Sequence, residues 1–143
     1  MVRARELTST ALLKAIQAGD FYASSGVHFK ELDYDSKSQT ISIEIDAQEG
    51  VEYETQFIGT LKVYDKKSVP RTDKEGKPIN TTRKYSADGG KVLATKKGNS
   101  IQYKLTGNEL YVRAVVTSNA KHPDPSFKDQ KQQAWTQPFG WRK

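Results

Sequence analysis

Apolar and polar side chains alternate along much of the chain after residue 26, which is the pattern of β-strands that bury one face. The clearest run is Ile41, Ile43 and Ile45, where each isoleucine is followed by a polar side chain. A later run, 110–117, is apolar enough to predict a strand in the centre of a sheet. Together these patterns predict strands at 27–34, 41–46, 51–63, 101–105, 110–117 and 133–139.

One amphipathic helix is predicted before the strands. Ser9 or Thr10 can serve as its N-cap, because a short hydroxyl side chain accepts hydrogen bonds from the free amides of the first turn. Gly19 can end the helix in the left-handed conformation. A helix of about ten residues is marginal on its own, so its apolar stripe must pack on another surface. That stripe consists of Leu12, Leu13 and Ile16.

Short strands separated by turn residues favour an antiparallel sandwich over other architectures. We therefore predict a mostly β fold, an immunoglobulin-like antiparallel β-sandwich with one N-terminal α-helix. The 143 residues are the size of a single domain, with 1–26 as helix and linker motif and 27–143 as sandwich. Polar, Gly- and Pro-containing composition predicts long loops at 65–91 and 118–132, and a small hairpin at 79–85 would shorten the first.

Composition excludes several classes of site. The chain has no cysteine, so a disulfide framework, a thiolate metal site and a cysteine nucleophile are excluded. The longest apolar run is residues 114–116, so no membrane span is predicted. The first residues are basic, but no apolar segment follows them, and we predict no signal peptide there.

Charge is distributed unevenly along the chain. Residues 1–61 carry a net charge of −5, residues 62–97 carry +7 and residues 98–143 carry +4. The basic middle segment could attract phosphates or an acidic surface. A solvated loop whose lysines keep the protein soluble is the plainer interpretation of the same charges.

Catalytic residue types are present, but the sequence does not group them. His28 lies on a predicted strand, and His122 lies in a loop beside Asp124. A histidine metal site needs converging imidazoles, so we predict neither a metal site nor a cofactor. His122 and Asp124 could form a general base pair, but a solvated loop pair is the simpler interpretation. Gly89 and Gly90 lack the Lys-Ser/Thr continuation of a phosphate-binding loop.

The two tryptophans are candidates for a sugar-binding surface, since exposed aromatic rings cover the apolar faces of sugars. Trp135 and Phe139 have even spacing and are predicted to share a face, which we expect to lie in the core. Single-stranded nucleic acid is an unlikely partner, because the basic segment 65–91 contains only Tyr85 among aromatic residues.

Residues 12–27 read Leu-Leu-Lys-Ala-Ile-Gln-Ala-Gly-Asp-Phe-Tyr-Ala-Ser-Ser-Gly-Val. This segment resembles the stretch that follows the catalytic domain in PHP-type (polymerase and histidinol phosphatase) metal-dependent phosphoesterases. In that family a helix leads into a Phe-Tyr-Ala-Ser-Ser-Gly motif, and a small β-sandwich follows. Segments 57–60, 110–114 and 134–138 also resemble parts of such appended domains.

The resemblance implies an accessory domain and not the enzyme itself. The His and Asp/Glu metal ligands of the family's catalytic part have no counterpart here, so no catalytic residue carries over. We therefore predict a non-catalytic C-terminal accessory domain of a PHP-like hydrolase, which stabilises the catalytic domain or helps to dock substrate or a surface. Its partner is then an upstream catalytic domain of the same polypeptide. A periplasmic or secreted location follows only if that hydrolase is an exported bacterial enzyme.

The alternative is a free-standing binding module for carbohydrate or an anionic polymer. In either case the docking residues would be the basic side chains of the middle segment and, for a sugar, the tryptophans. These candidates are Lys66, Lys67, Arg71, Lys74, Lys77, Arg83, Lys84, Trp135 and Trp141.

Overall fold

The computed structural model describes residues 1–141, apart from the side chain of Thr81. It contains one helix and ten strands in the described chain. Their bounds are α1 (Ser9–Ala18), β1 (Tyr22–Ser24), β2 (Phe29–Asp35), β3 (Thr40–Ile45), β4 (Tyr53–Leu61), β5 (Ser68–Thr72), β6 (Pro78–Tyr85), β7 (Lys91–Lys97), β8 (Ser100–Lys104), β9 (Glu109–Lys121) and β10 (Lys131–Thr136).

Two antiparallel sheets enclose the core. The larger has the order β1-β10-β9-β4-β7, the smaller has the order β2-β3-β8, and β5 and β6 form a separate hairpin. Ile41, Ile43 and Ile45 of the small sheet are buried in one cluster with Phe57 and other residues of the large sheet. Phe57 also stacks on Tyr103 of the small sheet, with ring centroids 4.7 Å apart. The prediction of a mostly β, sandwich-like fold with an N-terminal helix is confirmed.

The strand with the strongest apolar pattern lies where it was predicted. β9 pairs with β10 on one side and β4 on the other, and its residues Val112, Ala114 and Val116 are fully buried. Its Val112 is also joined to Phe139 by an isolated bridge, so the chain continues beside β9 after β10 ends. The final strand is therefore shorter than predicted and lies between β1 and β9.

The two predicted long loops are shorter than the sequence indicated. Segment 65–91 contains both strands of the hairpin and ends at the first residue of β7. Segment 118–132 is shortened from both sides, because β9 runs to Lys121 and β10 begins at Lys131. Regular backbone pairing thus extends into polar stretches that lack apolar alternation.

Helix α1 is displaced by one residue from its predicted start. Thr8, and not Ser9 or Thr10, is the N-cap, and its hydroxyl accepts a hydrogen bond from the Ala11 amide at 3.2 Å. Gly19 ends the helix with a φ of 76°, as predicted. A short antiparallel bridge between Val2 and Phe21 joins the chain before α1 to the chain after it.

The linker motif after α1 is tightly packed. Gly26 has a φ of 134°, a backbone angle that favours glycine. A side chain at this position would also overlap Gln132, whose nearest atom lies 2.4 Å from the ideal Cβ position. Tyr22 is buried, its ring packs against that of Phe29 at a tilt of 41°, and its hydroxyl accepts a hydrogen bond from the Phe29 amide at 3.2 Å. The motif therefore anchors β1 to the small sheet.

Candidate functional site

Seven basic side chains predicted for docking lie on or beside one projecting element. We define residues 66–84 as the basic hairpin, which contains Lys66 and Lys67, then β5, the turn and β6 except its last residue, Tyr85. Asp73 forms that turn, since its Oδ1 accepts hydrogen bonds from the amides of Glu75 and Lys77, both at 2.9 Å. Gly76 completes the turn with a φ of 84°.

All seven basic side chains of this group are exposed. The ion pairs found among the described residues are Arg3–Asp20, Lys30–Glu44 and Lys91–Asp88, and none of them includes a member of the group. Their charges are therefore not neutralised by close carboxylates within the described chain. The seven are Lys66, Lys67, Arg71, Lys74, Lys77, Arg83 and Lys84.

Arg83 differs from the rest of the group because it also braces the hairpin. Its Nε donates to the Ser68 hydroxyl at 2.8 Å and its Nη2 donates to the Ser68 carbonyl at 2.9 Å. These two bonds tie β6 to the first residue of β5. The other basic side chains extend from a ribbon that is held at its root.

The root of the hairpin is fixed by a polar network outside the paired strands. The Asp65 amide donates to Asp88 at 3.1 Å, and the Ser86 hydroxyl donates to the Asp65 carbonyl at 2.8 Å. Asp88 also forms an ion pair with Lys91 at 2.5 Å. The hydrogen bond from Lys91 and then that from the Asp65 amide lower the pKa of Asp88 below its usual value. Asp88 therefore stays ionised and keeps the two ends of the hairpin together.

A cavity of about 350 Å³ opens beside this root. Three tyrosine rings line it, from Tyr64 before the hairpin, Tyr85 at its end and Tyr111 on β9. Leu110 adds an apolar wall, and the Lys66 ammonium lies 5.8 Å from the centroid of the Tyr64 ring. The cavity is thus mainly aromatic and borders the most basic part of the protein.

The two tryptophans lie in different surroundings. Trp135 is half-buried on the outer face of the large sheet, opposite Ala23 on one neighbouring strand and Val115 on the other. The expectation that it packs in the core with Phe139 is wrong, because Phe139 contacts the core and Trp135 does not. Trp141 is 54% exposed and lines a separate cavity of about 460 Å³ beside the end of α1. The structure does not join either ring to the basic hairpin.

Helix α1 presents an apolar side to solvent. Ala15 is its one buried residue among those described, whereas Leu13 is 59% exposed and Ile16 is 48% exposed. Leu7, just before the helix, is 92% exposed. Of the stripe that was predicted to pack on another surface, Leu12 is half-buried, whereas Leu13 and Ile16 are exposed within the described chain.

Contacts of the N-terminal segment hold α1 in a defined orientation. Arg3 forms an ion pair with Asp20 at 2.6 Å and also donates a hydrogen bond to the Leu32 carbonyl. The Arg3 amide donates to the Asp20 carbonyl at 2.9 Å. The segment before α1 is thereby bound both to the residue after the helix and to the small sheet.

The titratable side chains singled out in the sequence lie in separate places among the described residues. No group of three or more His, Asp or Glu residues that could hold a metal is found within residues 1–141. His122 accepts a hydrogen bond through Nδ1 from the Asp124 backbone amide at 3.1 Å, which is a local loop contact. In the part of the chain that the structure describes, no helix has the length and apolarity that a membrane crossing requires.

Sequence reasoning missed the aromatic cavity, although part of it had a signal. Tyr64 precedes the basic hairpin and Tyr85 is the last residue of β6, so closing the hairpin places both tyrosines at the same end of it. Tyr111 joins them through the pairing of Thr60 with Tyr111 across β4 and β9, a register that alternation alone does not determine.

No protein-family model, curated protein or solved structure matches this chain.

Proposed function

We propose that this chain is a non-catalytic accessory domain that packs, through the apolar side of α1, against the catalytic domain of a PHP-type metal-dependent phosphoesterase. The observation that carries the proposal is the exposure of Leu13 and Ile16 on a helix that buries only Ala15 among the described residues. Adjacent exposed apolar side chains of this kind are characteristic of protein interfaces. Docking of this helix would place the stripe in contact with the catalytic domain.

The choice of partner is supported by the resemblance of residues 12–27 to the stretch that follows the catalytic domain in that family. These residues comprise most of α1 and the linker motif that anchors it. The contacts of Arg3 with Asp20 and Leu32 fit the same role, because they fix the direction in which the apolar side faces. An accessory domain held in this way would stabilise the catalytic domain or position it near a substrate or surface.

Hydrogen exchange tests the docking directly. A PHP-type catalytic domain joined upstream of Met1 is expected to slow amide exchange in α1 relative to the isolated chain. Replacement of Leu13 and Ile16 by lysine should restore the fast exchange, because two buried apolar contacts become charged. The matched control places lysines at Thr10 and Gln17, which are exposed and polar, and should leave the protection intact. Equal exchange of α1 with and without the catalytic domain would contradict the proposal.

A second candidate function is binding of an anionic polymer by the basic hairpin. The specific observation in its favour is that seven exposed basic side chains on one ribbon form no ion pair with described residues. Each anionic group that such a surface neutralises releases a counterion, so affinity should fall steeply with salt. Charge reversal at Arg71, Lys74 and Lys77 should abolish binding of polyphosphate, whereas reversal of Lys104 on the small sheet should not. Salt-independent binding, or equal binding by both variants, would exclude this function.

A further inference from the structure

The cavity at the root of the basic hairpin is lined by aromatic rings and by polar groups, which include a hydrogen-bond donor, an acceptor and a cation. Its volume of about 350 Å³ lies in the lower part of the range of small-molecule sites, roughly 300 to 1000 Å³. The rings of Tyr64, Tyr85 and Tyr111 provide flat apolar surfaces within it. Such rings suit a ligand that has apolar faces and polar edges.

A chain of hydrogen bonds orients one polar group of the cavity. The Gly90 amide donates to the Thr60 hydroxyl at 3.0 Å, and the Thr60 hydroxyl donates to the Tyr111 hydroxyl at 3.2 Å. Thr60 and Tyr111 both line the cavity. The phenolic hydrogen of Tyr111 is then left to donate to a ligand, and the preceding donors in the chain strengthen it as a donor.

An acceptor and a cation complete the polar groups of the cavity. Asp65 lines it, and one of its carboxylate oxygens accepts a hydrogen bond from the Lys67 amide at 2.9 Å. The other oxygen can accept a hydrogen bond from a ligand hydroxyl. Lys66 lines the same cavity, and its ammonium lies within cation–π distance of the Tyr64 ring. Of the nearby carboxylates, Asp88 is already paired with Lys91.

We propose that this cavity binds an acidic sugar unit of an anionic polysaccharide. The apolar face of the sugar ring lies against the tyrosines, its hydroxyls bond to Tyr111 and Asp65, and its acidic group lies near Lys66. Neighbouring acidic units of the polymer follow the basic side chains of the hairpin. This inference rests on the second candidate function, the binding of an anionic polymer, and specifies the class of polymer.

The combination of groups favours a sugar over a bare chain of phosphates. A polyphosphate has no hydroxyl to donate to Asp65, and its charge would be repelled by that carboxylate. It also has no apolar face that could pack on the three tyrosine rings. A sugar with a carboxylate or a sulfate uses the donor, the acceptor, the rings and the cation together. The structure accommodates either anion beside Lys66, and binding of carboxylated against sulfated sugars distinguishes the two.

Isothermal titration calorimetry on the full chain tests the inference with five probes. These are hexagalacturonate, which carries carboxylates, sulfated maltohexaose, which carries sulfates, neutral maltohexaose, polyphosphate and oligo(dT). We expect at least one acidic hexasaccharide to bind more tightly than the neutral one and more tightly than polyphosphate of equal charge. Binding of only one acidic form would identify the acidic group.

Three variants separate the cavity from the general charge of the hairpin. Tyr111→Phe removes one hydroxyl and should weaken binding of the acidic sugar about fivefold, while Tyr64→Ala should weaken it about tenfold or more. Neither change should affect the binding of polyphosphate. Tyr34→Phe is the control, because Tyr34 packs against Phe139 and does not line this cavity. Circular dichroism spectra identical to that of the wild type would confirm that each variant is folded.

Three results would overturn the inference, and they differ in their meaning. If acidic sugars and polyphosphate bind equally and the tyrosine variants change neither, the hairpin binds polyanions and the cavity takes no part. If oligo(dT) binds in a way that depends on Tyr64 while the acidic sugars do not, the cavity belongs to a nucleic-acid site. If no anionic probe binds, the second candidate function fails together with the inference.

Discussion

Glu109 is a buried carboxylate whose contacts close the turn between β8 and β9. It is 6% exposed, and it accepts hydrogen bonds from the Thr106 amide at 3.1 Å, from the Thr106 hydroxyl at 3.0 Å and from the Tyr103 hydroxyl at 3.3 Å. Because Tyr103 also stacks on Phe57, the carboxylate connects this turn to the core. Replacement of Glu109 by glutamine keeps the size of the side chain, removes its charge and replaces one acceptor oxygen with an NH₂ donor.

The expected loss follows from the strength of these three bonds. Hydrogen bonds to a charged group contribute about 1.5–3 kcal/mol and neutral ones about 0.5–1.5 kcal/mol. Glutamine also offers one acceptor oxygen where Glu109 offers two. Some of the hydrogen bonds from Thr106 and Tyr103 are therefore lost, and those that remain are weaker because the acceptor is neutral. We expect Glu109→Gln to lower the free energy of unfolding at neutral pH by about 1–2 kcal/mol. The Tm should then fall by roughly 3–6 °C for a domain of this size.

The loss should depend on pH in a direction set by the pKa of Glu109. Burial alone would raise that pKa, but hydrogen bonds from the Thr106 amide, the Glu109 amide, the Thr106 hydroxyl and the Tyr103 hydroxyl outweigh burial and lower the pKa below its ordinary value of 4.5. Since the folded state binds the proton more weakly than the unfolded state, the stabilisation is complete above the unfolded pKa and disappears as pH falls through the folded pKa. The difference in the free energy of unfolding between wild type and Glu109→Gln should therefore become smaller at acid pH.

Urea unfolding followed by tryptophan fluorescence, from neutral pH into the acid range, measures both effects. The control is Glu44→Gln, because Glu44 is exposed and its nearest cation, Lys30, lies 3.9 Å away. That substitution should change the free energy of unfolding by less than about 0.5 kcal/mol. A Glu109→Gln protein as stable as the wild type at neutral pH would refute the reasoning. So would a difference that stays constant as the carboxylate is protonated.

Three further substitutions test the packing of the fold. Gly59→Ala should destabilise the protein by about 1–3 kcal/mol in urea unfolding, because the added Cβ would lie 2.5 Å from a carbonyl oxygen of the neighbouring strand. Gly89→Ala is the control and should be nearly neutral, since no atom lies within 4 Å of the added Cβ. Thr8→Ala should speed amide exchange in the first turn of α1, since the lost cap contributes about 1 kcal/mol; unchanged exchange would contradict this assignment of the N-cap. Replacement of both Leu13 and Ile16 by lysine should change the stability of the isolated chain by less than about 0.5 kcal/mol, and a large loss would show that their exposure is wrongly assigned.

The sequence predicts the strands that bury one face and expose the other to solvent. The isoleucines of β3 and the apolar positions of β9 alternate for this reason, and both strands are in the core as expected. β1 and β7 are the two edges of the large sheet, and neither shows the pattern. β7 contains three lysines in seven residues, and its pairing with β4 is determined by the tertiary arrangement.

The candidate sites also differ in how far local sequence determines them. The basic side chains are clustered in sequence, so their position on one element follows once residues 66–84 form a hairpin. The aromatic cavity needs the register between β4 and β9, which depends on long-range packing. The exposure of Leu13 and Ile16 on α1 could not be predicted either. An apolar helix face indicates that some surface covers it, but it does not indicate whether that surface belongs to the same domain or to another.

The proposed role of this chain beside a PHP-type catalytic domain can be tested in the cell. The most direct measurement is to add an epitope tag after Lys143 at the chromosomal locus, purify the tagged protein and identify the polypeptides it contains by mass spectrometry. We expect a PHP-type domain with its His and Asp/Glu ligands, on the same polypeptide or bound to it, and metal-dependent hydrolysis of a phosphoester by the purified material. The double lysine variant of Leu13 and Ile16 should disturb that association or its stability. A tagged product of 16.1 kDa plus the tag, with no PHP-type domain attached or bound, would contradict the account.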